Sequence, residues 1–152
     1  MAGTWPLARA NIVTQLDGIT FDAGAGYASE TLTALEYPPS SVQDSILPYC
    51  YVQPPSRSIR RMPGGLRYTD FDAVTVRVIL GGVGTALEDA AKRMEVAVEA
   101  CANAFDDAVN LDGNADVVTD QQFSGLLLFD GEGYGFEMTL VLRVSEIKTF
   151  GP

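Results

Sequence analysis

Four of the ten basic residues of the chain lie in one short segment, PPSRSIRRMPGGLR, from Pro54 to Arg67. The formal net charge of the whole chain is -10, so this segment is basic within an acidic protein. Guanidinium groups bind carboxylates and phosphates through paired hydrogen bonds. Three interpretations stay open: a solvated flexible tip, a docking site for an acidic protein surface or another copy of the chain, and a nucleic-acid contact. The arginines in question are Arg57, Arg60, Arg61 and Arg67.

The chain contains no histidine, which removes much ordinary enzyme chemistry. A Ser–His–Asp or Cys–His arrangement is impossible, and so is a zinc site with imidazole ligands. The only cysteines, Cys50 and Cys101, cannot make a four-thiolate site. We interpret both as small buried apolar residues.

Two loop patterns resemble ligand sites only in part. Asp112, Asn114 and Asp116 alternate as the oxygen ligands of a calcium loop do, but Val117 replaces the required glycine and Phe123 the bidentate glutamate. These residues are interpreted as an ordinary turn at the end of a helix.

A glycine-rich stretch from Gly81 to Gly84 precedes a predicted helix, as in phosphate-binding loops. No lysine follows it, and the carboxylates of Glu88 and Asp89 would repel phosphate in the first helical turn. Asp70 and Asp72 share one face of a predicted strand, but they lie at its outer end, where we expect solvation and not the burial that a catalytic pair of carboxylates needs. We therefore expect no enzyme activity, no metal and no cofactor.

The elements that position these residues follow from hydrophobic periodicity. Thr4 to about Leu16 and Ala86 to about Val109 are predicted as helices. Four stretches are predicted as strands, Ile46–Gln53, Arg67–Leu80, Asp120–Asp130 and Tyr134–Ile147. The region from Gly18 to Ser45 stays unassigned, and Glu30–Tyr37 within it fits a short strand or one helical turn.

The resulting order is α-β-β-α-β-β, which predicts one α+β domain over residues 1–152, with a mainly antiparallel four-stranded sheet packed against two helices. The arginine segment then becomes a long strand–strand loop, reversed at Pro63–Gly64–Gly65. DGEG, Asp130–Gly133, is predicted as a hairpin turn.

The second predicted helix is amphipathic. Its predicted apolar face comprises Leu87, Ala90, Ala91, Met94, Val98, Cys101, Ala102, Phe105 and Val109. The opposite face carries mostly charged side chains, among them Arg93, Glu95 and Glu99. This acidic face is a possible partner for the arginine segment, since alternating patches on one subunit suit a head-to-tail ring.

The order of the elements and the types of residue within them resemble those of the tail-terminator, or tail-completion, proteins of long-tailed bacteriophages. The resemblance is carried by WPLARANIVTQL, LPYCYV, YTDFDAVTVRVIL, the acidic helix and YGFEMTLVLRVSE. It covers nearly the whole chain and includes no short invariant motif.

The resemblance implies a structural protein that forms a hexameric ring on the head-proximal end of the tail tube and stops its polymerisation. It implies two partners, the tail tube protein and a head–tail connector or stopper, with DNA only passing through an acidic lumen. It implies a location in the virion, at the tail neck, after assembly in the host cytoplasm, without a membrane. Partner contacts are expected at Arg57, Arg60, Arg61, Arg67, Glu95 and Glu99. The alternatives are another neck component, such as a connector or stopper ring, and a small soluble α+β ligand-binding domain.

Overall fold

The computed structural model describes residues 5–22, 29–39, 47–82, 87–105, 118–129 and 131–149. Within these ranges it describes the backbone but not the side chains of residues 62, 67–72, 118–120 and 142–149. One of the sequence expectations, the turn with calcium-like spacing at Asp112–Asp116, lies outside the described residues.

Two α-helices are present in the described part of the chain. The first, α1, spans Trp5–Leu16 and buries Ala8, Ile12 and Leu16, which recur at helical spacing. The second, α2, spans Leu87–Asn103 and buries Ala90, Ala97 and Cys101. Both helices were expected from the sequence, with α2 covering less of the chain than predicted.

In the ranges that the structure describes, nine strands lie between and after these helices. In chain order they are β1 Thr20–Phe21, β2 Glu30–Thr31, β3 Thr33–Leu35, β4 Tyr49–Val52, β5 Ser58–Met62, β6 Leu66–Gly81, β7 Val118–Phe123, β8 Leu127–Phe129 and β9 Gly133–Thr149. β1 and β2 form a small separate sheet, and the other seven form one sheet.

The main sheet has the order β3-β4-β6-β9-β7, with β5 also paired to β6 and β8 also paired to β9. All its pairs are antiparallel except β3 with β4, which run parallel. The α+β class is confirmed, but the expected four-stranded sheet was too simple. The unassigned region contributes β3, and the predicted strand Asp120–Asp130 is interrupted at residues 124–126, so it yields β7 and β8.

The helices cover one face of this sheet. Val74, Val76, Val78 and Leu80 alternate along β6 and are all fully buried, as their period of two predicted. Phe136, Met138 and Leu140 of β9 complete the same cluster, together with buried residues of both helices. A smaller cluster on the other face contains Tyr49, Tyr51, Ile79 and Phe129.

The predicted apolar face of α2 is confirmed in part, since Ala90 and Cys101 are fully buried and Met94 and Val98 pack against the core. Leu87 is 62% exposed, and Ala91 is exposed, although both were assigned to the apolar face. Ala97, which was not assigned to it, is fully buried. The fully buried positions of α2 are Ala90, Ala97 and Cys101, and the helix contacts β1, β6 and β9. Phe105, just after the helix, is buried in the same core.

The arginine segment is not the long loop that the sequence predicted. Its second half forms β5, which pairs with β6 through a tight turn at residues 63–65, where Gly64 and Gly65 have positive φ. β9 pairs with the other side of β6. We call this three-stranded extension, made of β5, residues 66–71 of β6 and residues 144–149 of β9, the arm. Pro63–Gly64–Gly65 does reverse the chain, as expected.

Candidate functional site: a basic arm and an acidic helix face

Three basic residues lie opposite one another on the arm. Arg61 of β5 pairs in register with Arg67 of β6, and Arg67 pairs with Lys148 of β9. Residues of one cross-strand row belong to the same face of a sheet, and neighbouring strands are about 4.8 Å apart. We call these three residues the cation row. Like charges directly opposite each other destabilise a sheet unless an anion neutralises them.

The other two predicted arginines lie near this row but not in it. Arg60 precedes Arg61 in β5 and is exposed, and strand alternation assigns it to the opposite face of the arm. Arg57 lies just before β5 and is also exposed. Among the described residues, neither Arg57 nor Arg61 forms an ion pair.

Lys148 was not predicted from the sequence. It is separated from the arginine segment by 81 positions, counted from Arg67 to Lys148. Only the pairing of β6 with β9 brings it opposite Arg67. The sole signal in the sequence was a basic residue near the end of a predicted strand.

The predicted acidic surface is found on α2. Glu95 and Glu99 are exposed and lie one helical turn apart. The Oε1 atom of Glu88 is 3.0 Å from Nζ of Lys92, so this carboxylate is already paired. Glu95 and Glu99 have no ion pair with any described residue. The structure therefore leaves two neighbouring carboxylates unneutralised on the outer side of the helix.

Arg93 does not belong to that outer surface, contrary to the sequence expectation. Its guanidinium forms a two-pronged ion pair with Glu30 of β2, with Nε 3.0 Å from Oε2. It also donates to the main-chain carbonyl of Leu80. Its side chain is only 15% exposed, because it links α2 to the small sheet and to the end of β6.

A second polar cluster lies on the face of the sheet that no described helix covers. Arg77 donates to Glu132 at 3.0 Å, and Glu132 also accepts from the hydroxyl of Tyr51 at 2.8 Å. Nε2 of Gln53 lies 2.5 Å from Glu137, which is 3.5 Å from Arg77. Burial and the Glu132 carboxylate raise the pKa of the Tyr51 hydroxyl. This network could not be predicted from the sequence, because Tyr51 and Arg77 come from two different strands and Glu132 comes from a turn far along the chain.

An open cavity of about 610 Å³ lies beside this network. Its floor is the row Thr75, Thr139 and Gln122, which are cross-strand neighbours on β6, β9 and β7. Residues 53–58 form one wall, and Ser124 contributes to the other. A smaller cavity of about 280 Å³ includes Trp5, Tyr37 and Arg57. In it the guanidinium of Arg9 lies 4.4 Å from the centre of the Tyr37 ring.

The remaining chemical candidates can be placed as follows. Cys50 and Cys101 are free thiols and buried, as expected, and burial raises the pKa of Cys101 to about 12. Asp70 and Asp72 lie on the arm end of β6, where side chains are not described. Gly81 is the last residue of β6 and Gly82 follows it, and the rest of the glycine-rich stretch lies outside the described residues. Among the described side chains, no group of three or more metal-binding residues is close enough to hold an ion.

No helix in the described part of the chain is both long and apolar enough to cross a membrane. Comparison of the sequence with models of known protein families gives no match. Comparison with curated proteins gives no significant match either.

Proposed function

We propose that the chain is a structural ring protein of the tail-terminator type, which caps a phage tail tube and joins it to the head connector. One observation carries the proposal. The same molecule presents an exposed basic residue on β5, Arg61, and an exposed acidic pair on α2, Glu95 and Glu99, and none of the three forms an ion pair with a described residue. Complementary patches on one subunit favour a head-to-tail contact, which closes into a ring when the rotation between subunits allows it.

The electrostatic cost of each isolated patch supports a partner. Like charges one turn apart destabilise a helix by about 0.2–0.5 kcal/mol. Like charges opposite each other in a sheet act in the same direction and on a similar scale, roughly 0.2–1 kcal/mol. Docking of one patch on the other relieves both repulsions. The charge also fits a ring around DNA, because an acidic lumen does not retain the phosphate backbone.

Two alternatives predict different partners. A connector or stopper ring uses the same kind of self-contact but binds the head side of the neck instead of the tube. A small ligand-binding domain is favoured by one observation, the 610 Å³ cavity with its polar floor, whose volume lies within the usual range for ligand sites. That alternative predicts a monomer that binds a small molecule.

The test is negative-stain electron microscopy of the purified protein, alone and mixed with the tail-tube protein encoded in the same genome. We expect rings with a central hole, or tubes of defined length that are closed at one end. Rings that ignore the tube favour the connector alternative. Monomers at every concentration, with uncapped tubes, contradict the proposal and favour the ligand-binding domain.

The arm is tested in the same assay with the double variant Arg60→Glu/Arg61→Glu. Both residues are exposed, so the fold should survive, as checked by circular dichroism. Ring formation and capping should be lost. Lys92→Glu is the control, because it also makes the protein more acidic but places the added negative charge on α2 and not on the arm. Normal capping by the double variant would refute the docking role of the arm.

A further inference from the structure

We infer that the smaller cavity, beside the first half of α1, binds a carboxylate that is carried on a small apolar group. This cavity has a volume of about 280 Å³ and lies between α1, residues 36–37 and residues 52–57. Two guanidinium groups, those of Arg9 and Arg57, belong to its lining, and we call it the two-arginine cavity. The inference does not depend on the proposed ring, because it requires no second copy of the chain.

The first support is the setting of Arg9. Its side chain is half-buried, and its guanidinium carbon lies 4.4 Å from the centre of the Tyr37 ring and 6.0 Å from that of the Trp5 ring. Contact with ring faces holds the positive charge but supplies no oxygen acceptor to the five N–H donors. The Nε atom is buried, and no described residue accepts a hydrogen bond from it. A buried charge of this kind favours an anion as its partner.

The second support is the charge of the lining. Arg57 is exposed and forms no ion pair with a described residue. Among the described lining residues Glu36 is the only acid, and it is paired with neither Arg9 nor Arg57. Two guanidinium groups can hold both oxygens of one carboxylate, since each presents paired donors. One carboxylate would also neutralise the single net positive charge of this lining.

The third support is the apolar part of the lining. Trp5, Tyr37, Pro54 and Pro55 offer rings, and Val52 adds an aliphatic surface. The volume lies just below the usual range of about 300–1,000 Å³ for drug-sized ligands, so a group the size of one aromatic ring fits. The ligand class is therefore an aromatic monocarboxylate. It can be a free small molecule or an acidic side chain beside an aromatic one in a polypeptide.

The experiment is a titration of the full-length protein with benzoate, followed by tryptophan fluorescence and by calorimetry. Trp5 is the only tryptophan of the chain, and it lines the two-arginine cavity but not the larger one. Its fluorescence therefore reports on this site. We expect a dissociation constant of about 0.1–1 mM, as for a ligand with few atoms. Benzamide, which has the same ring but no charge, should bind at least about tenfold more weakly.

Three substitutions of exposed side chains test the charges without entering the core. Arg57→Gln should weaken benzoate binding about tenfold, because it removes a charged donor. Glu36→Gln should strengthen binding about two- to fivefold, because it removes a repelling charge, and damage to the fold cannot produce such a gain. Arg61→Gln is the matched control, since it removes a positive charge outside the cavity, and it should change binding less than about twofold. Circular dichroism checks the fold of each variant.

Arg9 is tested by Arg9→Lys, which keeps the positive charge but loses the paired donors. This variant should weaken benzoate binding about tenfold, and urea unfolding shows whether it remains folded. If Arg9→Lys and Arg57→Gln both bind benzoate like the unaltered protein, the inference is overturned. The gain expected for Glu36→Gln gives an independent result that does not rely on loss of binding.

Three other results would overturn the assignment. The first is the absence of both a fluorescence change and heat at about 10 mM benzoate, ten times the weakest affinity expected. The second is equal binding of benzamide, which would show an apolar cavity without carboxylate recognition. The third is tighter binding of phenyl phosphate than of benzoate, which would assign the arginines to phosphate.

The source of the carboxylate is tested with the dipeptide N-acetyl-aspartyl-phenylalanine amide. Tighter binding of this dipeptide than of benzoate would support the inference with a polypeptide as the ligand. Tighter binding of benzoate would support it with a free small molecule. Capped tubes without binding of either probe would refute the inference and leave the proposed function standing. Binding of a probe together with uncapped tubes would do the reverse.

Discussion

Gly135 lies where β9 runs closest to β6, and its replacement by alanine gives a sharp test of the sheet. It pairs with Ile79 on one side and with Leu127 on the other. A Cβ atom at this position would lie 1.8 Å from the carbonyl oxygen of Val78 and 2.8 Å from its carbonyl carbon. Both atoms belong to the main chain, so no rotamer change can relieve the contact.

The size of the effect follows from these distances. Real Cβ atoms essentially never approach another heavy atom within 3.0 Å, so the strands must separate until 1.8 Å becomes at least 3.0 Å. Overpacking of this kind costs about 1–3 kcal/mol. Each ladder hydrogen bond stretched by the separation loses up to about 1 kcal/mol of net stabilisation. We expect Gly135→Ala to lower the free energy of unfolding by about 3 kcal/mol.

Urea unfolding and a thermal scan measure this loss. A change of about 3 kcal/mol corresponds to a fall of about 6–12 °C in Tm for a domain of this length. Gly125→Ala is the matched control, because nothing lies within 4 Å of its added Cβ, and it should stay within about 0.5 kcal/mol of the unaltered protein. A Gly135→Ala protein as stable as the control would show that β6 and β9 are not in this close contact.

Two other predictions concern the ion pair between Arg93 and Glu30 and the two buried cysteines. Arg93→Met should lower the free energy of unfolding by about 2 kcal/mol, because it leaves the Glu30 carboxylate part-buried and unpaired. In urea unfolding, the double variant with Glu30→Gln should recover about half of this loss. Absence of any recovery would contradict the ion-pair explanation. Cys50 and Cys101 should resist a thiol reagent at pH 8 and react fully after unfolding in guanidinium chloride, since burial raises the pKa of both thiols. Rapid labelling of the native protein would show that the core is more open than described.

Some of the fold could be predicted because its residues show strong periodicity. The alternation of Val74, Val76 and Val78 with polar residues predicted β6, and the structure buries all three. The turn at Gly131–Gly133 lies between β8 and β9, where glycines have positive φ. These signals are local, so they can be recognised in one stretch of sequence without knowing which strands pair with it.

The arm could not be predicted from local signals. SIRRM has no apolar alternation, and it becomes a strand because β6 extends beyond the helices and offers a free edge for pairing. The position of Lys148 depends on register shifts in the β6–β9 pair, including one between Phe71 and Ala73. The parallel β3–β4 pair joins segments separated by unassigned sequence. Such long-range pairings leave no trace in a single stretch of residues.

β6 and β9 each continue as one strand from the core into the arm. This continuity determines how mutations can change the surface of the arm. A point substitution at an exposed arm position such as Arg61 would alter the charge of the arm surface and leave the buried core intact. Insertion of one residue into β6 between the core and the arm would instead turn the arm residues of β6, and of β5 that pairs with them, to the opposite face of the sheet. The charge of the arm surface can thus change by substitution without a change in the fold, whereas an insertion changes the strand register as well.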